Sequence, residues 1–150
     1  MNYIKDLVSR AVRNYDTRKP FELADSLGID IKHEVIFDDI KGMAAYDIKI
    51  GKKWIVLNPD LHWIEERHIL AHELGHCLAH PGVCDFYVDK KSFYVEGKLE
   101  KQANQFAAEL LIPEGKLKSL QTTYENLSKI AWELSVPEKL VEIKLKNFNL

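Results

Sequence analysis

Two histidines four residues apart, with a glutamate directly after the first, stand out in this 150-residue chain: His72-Glu73-Leu74-Gly75-His76. On a helix, side chains at i and i+4 are offset by only about 40° and lie one turn apart. Both imidazoles can then reach one zinc ion at about 2.0–2.1 Å. Glu73 sits beside such a metal but points elsewhere, where a base for a metal-bound water must be. His-Glu-x-x-His on a helix is the pattern of zinc metalloproteases. The plainer reading is a solvated helix face with two incidental histidines.

Catalytic zinc takes three protein ligands and keeps one position for water. Glu100 is the candidate third ligand, on a segment where Leu99, Ala103, Phe106 and Leu110 recur at helical spacing. Glu100 and Asn104 flank that stripe one turn apart. A helix returning across the first could bring Glu100 to the metal, and Asn104 could orient a ligand from behind. An exposed helix carboxylate is the commoner fate of a glutamate. His80 stacks one turn below His76 and has three open roles: polarising a substrate carbonyl, orienting Glu73, or capping the carbonyls at the helix end. Tyr87 and Tyr94 are oxyanion-donor candidates or ordinary loop aromatics. His33, His62 and His68 read as surface or packing residues.

Two other kinds of zinc site fit poorly. A structural site would be closed by four ligands, usually including cysteine. Cys77, however, lies on the apolar stripe Leu70, Leu74, Cys77, Leu78 and reads as core, while Cys84 has no assigned place. A metzincin needs its third histidine farther along and a later Met turn, yet the methionines are Met1 and Met43, both upstream.

Periodicity outlines the elements that must position these groups. Ile4, Leu7, Val8, Ala11, Val12 and Tyr15 predict an amphipathic opening helix. Pro20 suits the first turn of a short second helix and Gly28 its C′ position. Ile29, Ile31, His33 and Val35 alternate as in a strand. Residues 43–50 and 53–57 read as two more, with Gly51-Lys52 as a tight hairpin turn. Asn58-Pro59 is the expected start of a helical segment, with room for one break, that carries the motif on a helix at 64–80 and stops at Pro81-Gly82. Residues 82–95 read as a loop, 96–112 as a helix ended by Pro113, and 124–134 and 137–147 as two short helices. Two helices, a small antiparallel sheet and further helices make an α+β domain. One domain over 1–150 is expected, with the helical pair at about 124–147 as part of it.

With 21 basic and 23 acidic residues interspersed, and a formal charge of -2, there is no electrostatic reason to expect nucleic acid or a membrane surface. An apolar share of 46% is that of a globular chain. Two cysteines are too few for a disulfide framework and read as thiols in a reducing compartment. Asp6, Arg10, Arg13 and Asp16 interrupt any signal-peptide core, and no apolar run reaches membrane-spanning length. The expected location is the cytoplasm.

The motif extends as His72-Glu73-Leu74-Gly75-His76-x-x-x-His80. It is followed by Glu100-x-x-Ala103-Asn104-x-Phe106-Ala107-Ala108-Glu109-Leu110-Leu111-Ile112-Pro113. Together with Arg18-Lys19-Pro20-Phe21-Glu22-Leu23-Ala24 and Leu27-Gly28-Ile29, this resembles the ImmA/IrrE family of metallo-endopeptidases over nearly the whole chain. Ile112 stands where that family more often has Met. The resemblance implies a zincin-like fold, a gluzincin-like ligand set of His72, His76 and Glu100, and Glu73 as base. It also implies cleavage of a DNA-binding repressor that controls a mobile element or a stress response. Longer members carry a C-terminal sensory domain, which this chain is expected to lack.

The reading is therefore a zinc-dependent endopeptidase with Zn2+ as cofactor and a small helix-turn-helix repressor as protein substrate. The substrate is expected to lie extended along the 43–50 strand, with docking on 124–147. The alternative is a binding module that inactivates its partner without cutting it, around a structural zinc. The intact Glu73 argues against that, since a structural site needs no base. A third reading takes Leu127–Leu145 as a helix-turn-helix presenting Lys139, Lys144, Lys146 and Asn147 to DNA. Glu138, Glu142 and the neutral charge balance favour plain packing instead.

Overall fold

The structure is a computed structural model that describes residues 2–35, 37, 40–47, 49–81 and 93–148, with 93–96 described by backbone only. Among these residues the chain forms seven helices and three strands, an α+β arrangement.

The opening helix α1 (Tyr3–Tyr15) buries Ile4, Val8 and Ala11, the stripe its periodicity predicts, and Asn2 caps its first turn. Helix α2 (Pro20–Ser26) begins on its proline, and Gly28 follows it at φ +69° as the expected left-handed C′ residue. The strands are β1 (Asp30–His33), β2 (Gly42–Asp47) and β3 (Lys52–Leu57).

The sheet departs from the antiparallel expectation. Its order is β1-β3-β2, with β2 antiparallel to β3 and β1 parallel to it. Alternation shows that a segment is a strand and which face is apolar, but not which neighbour it pairs with. The hairpin also differs: Asp47 pairs with Lys52, so Lys52 lies in the strand and Gly51, at φ +64°, closes the connection.

Helix α3 (Trp63–Ala79) matches the 64–80 expected for the motif helix, and the segment that begins at Asn58-Pro59 is broken before it. Asn58 Oδ1 accepts from the backbone of Asp60, making a turn before the helix, and the His62 ring accepts from Ile64 at the helix start. Helix α4 (Phe93–Leu111) starts earlier than the sequence suggested, within the stretch expected to be loop; 82–92 lie outside the described residues. Pro113 ends α4 and also stands at the N-cap of α5 (Glu114–Thr123), a helix that periodicity did not reveal. Only Leu117 of α5 is buried, so its apolar signal is faint. Helices α6 (Leu127–Leu134) and α7 (Glu138–Phe148) close the described chain.

One buried cluster draws on every helix and on the sheet, from Ile4 and Val8 through Ala44, Ile55 and Leu57 to Phe106, Leu117 and Leu140. Leu70, Leu74 and Cys77 of α3 sit in it, so Cys77 is a core thiol as expected. Arg18 donates to the Glu109 and Leu110 carbonyls at the end of α4. Arg67 does the same for Leu134 and Ser135 at the end of α6. Cations are favoured at such helix ends. No helix among the described residues is long and apolar enough to cross a membrane.

Candidate metal centre

Two helices build the site, and a glycine sets their separation. A Cβ placed on Gly75 would lie 2.9 Å from Phe106 Cβ and 3.0 Å from Ala103 Cα. Only hydrogen fits there, so α4 crosses α3 in backbone contact at the middle of the motif. That contact brings Glu100, on the exposed flank of α4, over the two histidines of α3.

His72 Nε2 lies 3.2 Å from Glu100 Oε2, and His76 Nε2 lies 2.9 Å from Glu100 Oε1. The two Nε2 atoms are 3.1 Å apart. All three residues offer a ligand atom within 4.8 Å of one another, a group that could hold a metal ion. His76 is buried, His72 nearly so, and Glu100 is half-exposed, so the group reaches solvent on the carboxylate side.

The hydrogen bonds behind the rings decide what the front atoms can do. His72 Nδ1 donates to Asn104 Oδ1 at 2.9 Å, which leaves Nε2 with a lone pair. His80 Nε2 donates to Gln102 Oε1 at 2.9 Å, so His80 Nδ1 accepts from His76 Nδ1 at 3.2 Å. That in turn leaves a lone pair on His76 Nε2. Two imine nitrogens and two carboxylate oxygens thus converge, all of them acceptors. Acceptors gathered this closely call for a cation between them. Two nitrogens bound tetrahedrally to one zinc ion are separated by about 3.3 Å, so the observed 3.1 Å fits that ion.

Asn104 bonds the back of the His72 ring. The backbone N–H of His80 bonds the His76 carbonyl at the end of α3. Its ring is buried and bonded between His76 and Gln102, so it supports His76 from behind. Gln102 escaped the sequence reading, although it flanks the apolar stripe of α4 on the side opposite Glu100. Glu73 is buried beside β2: a Cβ built on Gly42 would sit 3.4 Å from Glu73 Cγ. His33 pairs with Glu66 at the surface, at 2.5 Å. His68 is half-buried, and burial pushes its pKa down to about 4. Cys84, Tyr87 and the side chain of Tyr94 lie outside the described residues.

The sequence model of peptidase M78, the IrrE N-terminal-like domain, matches residues 17–146. The chain is 34% identical to "Uncharacterized immunity region protein 2" of Bacillus phage phi105, over 97% of this chain and 93% of the relative. It is 28% identical to "Metallopeptidase ImmA" of Bacillus subtilis strain 168, over 95% of this chain and 83% of that protein.

Proposed function

The chain belongs to the peptidase M78 family, and from that premise we propose that it is a cytoplasmic zinc-dependent endopeptidase making one cut in a helix-turn-helix repressor. The observation that carries the proposal is the convergence of His72, His76 and Glu100, with Glu73 next in sequence to the first of them. We take those three as the zinc ligands, a gluzincin-like set on a zincin-like fold, and Glu73 as the base. One metallopeptidase domain, with α6 and α7 packed into its core, is the matching domain reading.

A zinc ion held there would lower the pKa of a coordinated water to about 7 and polarise the scissile carbonyl. The chain's own residues do the rest. Asn104 fixes the His72 ring, and His80 with Gln102 fixes His76, so both Nε2 atoms stay unprotonated and aimed at one point. Glu73 takes the proton of the attacking water and delivers it to the leaving amide nitrogen, so that water adds across the broken C–N bond. Strand β2 lies at one edge of the described sheet and passes Glu73 at Gly42. An extended substrate pairing with that edge would bring its backbone to the base.

The repressor substrate is supported by the phage relative, an immunity-region protein by name. The DNA-reading alternative loses its ground at Lys144, which is buried and paired with Glu109. Coexpression with a repressor encoded beside this chain's gene tests the proposal. One discrete, zinc-dependent cut is the expected outcome. Casein digestion at a comparable rate would refute the narrow substrate, and a repressor inactivated intact would favour the non-cutting binding module.

A further inference from the structure

We propose that the groove between α4 and α7 is a docking subsite for an acidic segment of the protein substrate, held by Lys101, Lys139 and Lys146. The inference rests on the peptidase reading above and adds to it the charge of the sequence beside the cut.

The groove is a cavity of about 510 Å³ lined by these three lysines, the amides Asn104, Gln105 and Asn147, and Ile143 as an apolar patch. That volume lies within the range of ordinary ligand pockets, about 300–1,000 Å³. No acidic side chain lines it. Elsewhere six lysines, Lys5, Lys19, Lys41, Lys52, Lys118 and Lys144, form ion pairs, and six, Lys32, Lys49, Lys53, Lys98, Lys116 and Lys129, form none among the described residues. Among the described residues, Lys101, Lys139 and Lys146 form none. Ammonium groups gathered in a concave wall repel one another and focus a positive potential, which an incoming anion relieves.

The lining chemistry favours carboxylates on a peptide. Phosphate sites favour the planar fork of arginine, and no arginine lines this cavity. Gln105 and Asn147 spend their NH2 groups on Asn2 Oδ1 and the Ile143 carbonyl, which leaves their own amide oxygens as acceptors. Ammonium donors for side-chain carboxylates thus alternate with acceptors for peptide N–H groups, as an acidic peptide requires.

Position ties the groove to the reaction. Asn104 lines it and its Oδ1 also accepts a hydrogen bond from His72 Nδ1, so the groove begins one side chain from the candidate ligands. An extended peptide advances about 3.3–3.6 Å per residue, so the acidic residues in question belong to the stretch of substrate next to the scissile bond.

The test uses the zinc-loaded full chain and the triple charge reversal K101E/K139E/K146E, with zinc content and circular dichroism as controls for folding. The binding probe is a fluorescein-labelled hexaglutamate peptide. The cleavage probes are two fluorogenic peptide libraries with the same random core, one flanked by Glu-Glu and one by Lys-Lys. The native chain should bind hexaglutamate, more weakly as salt rises, and should prefer the Glu-Glu library. Charge reversal should raise KM for that library about tenfold, as loss of three exposed ion pairs implies, with a smaller change in kcat. Equal affinity of the native and reversed chains for hexaglutamate would overturn the proposal. So would binding of random duplex DNA at these lysines with no binding of the acidic peptide. Hexaglutamate binding that depends on the lysines, with neither library cut and Glu73→Gln retaining full biological activity, would leave the docking site standing and sink the peptidase reading instead.

Discussion

Lys144 of α7 donates to Glu109 Oε2 of α4 with both side chains almost wholly buried, and this ion pair ties the last helix to the helix that carries Glu100. Two opposite charges out of water are tolerable only together. Removing one leaves the other buried and uncompensated, at a cost of about 3–5 kcal/mol.

The K144M chain should therefore lose about 3–5 kcal/mol of unfolding free energy. The double variant K144M/E109L should recover most of it, because two apolar side chains of similar volume replace the pair without leaving a charge. Urea denaturation of the metal-free proteins measures both. A single variant as stable as the native chain would show that the pair does not hold α7 down.

Replacing the base should separate chemistry from binding. In Glu73→Gln the fold and the zinc content should persist, because the ligands are untouched. Cleavage should fall by about 10²–10⁴-fold, the usual contribution of a general base. Full biological activity in this variant would mean that the chain acts by binding alone.

The rings behind the metal should control its affinity. Asn104→Leu frees His72 to protonate Nε2, and Gln102→Leu does the same to His76 through His80. Each should weaken zinc binding by about 10–100-fold, read by competition with a chromogenic chelator. Melting temperatures of the metal-free variants separate this effect from a loss of folding. An unchanged zinc affinity in both variants would contradict the tautomer assignment.

His68 predicts a pH dependence. Burial holds its folded pKa at about 4, against about 6.5 in the unfolded chain. The folded state favours the neutral ring, so this contribution to stability is intact above about pH 6.5 and is lost as pH falls toward 4. The loss is on the order of 2 kcal/mol, discounted for the solvent that still reaches the ring. Thermal melts of the native chain and His68→Gln between pH 7 and 4 should converge as the pH drops. Parallel curves would show that another group is responsible.

What the sequence determined by itself was local. The His72–His76 spacing, the apolar stripes of α1, α3 and α4, and the caps at Pro20 and Gly28 all follow from helical geometry, which depends on near neighbours alone. Even Glu100 and Asn104 could be marked, because one face of one helix carries both. Tertiary structure decided which faces meet. Gly75 sets the approach of α4 to α3, and only that crossing joins Gln102 to His80. The parallel pairing of β1 with β3 is likewise a choice between partners that alternation leaves equal. The lysine groove draws Lys101 from α4 and Lys139 and Lys146 from α7, which no period along the chain relates. Periodicity fixes the direction in which a side chain points from its own axis; what it meets there depends on packing between elements distant in sequence.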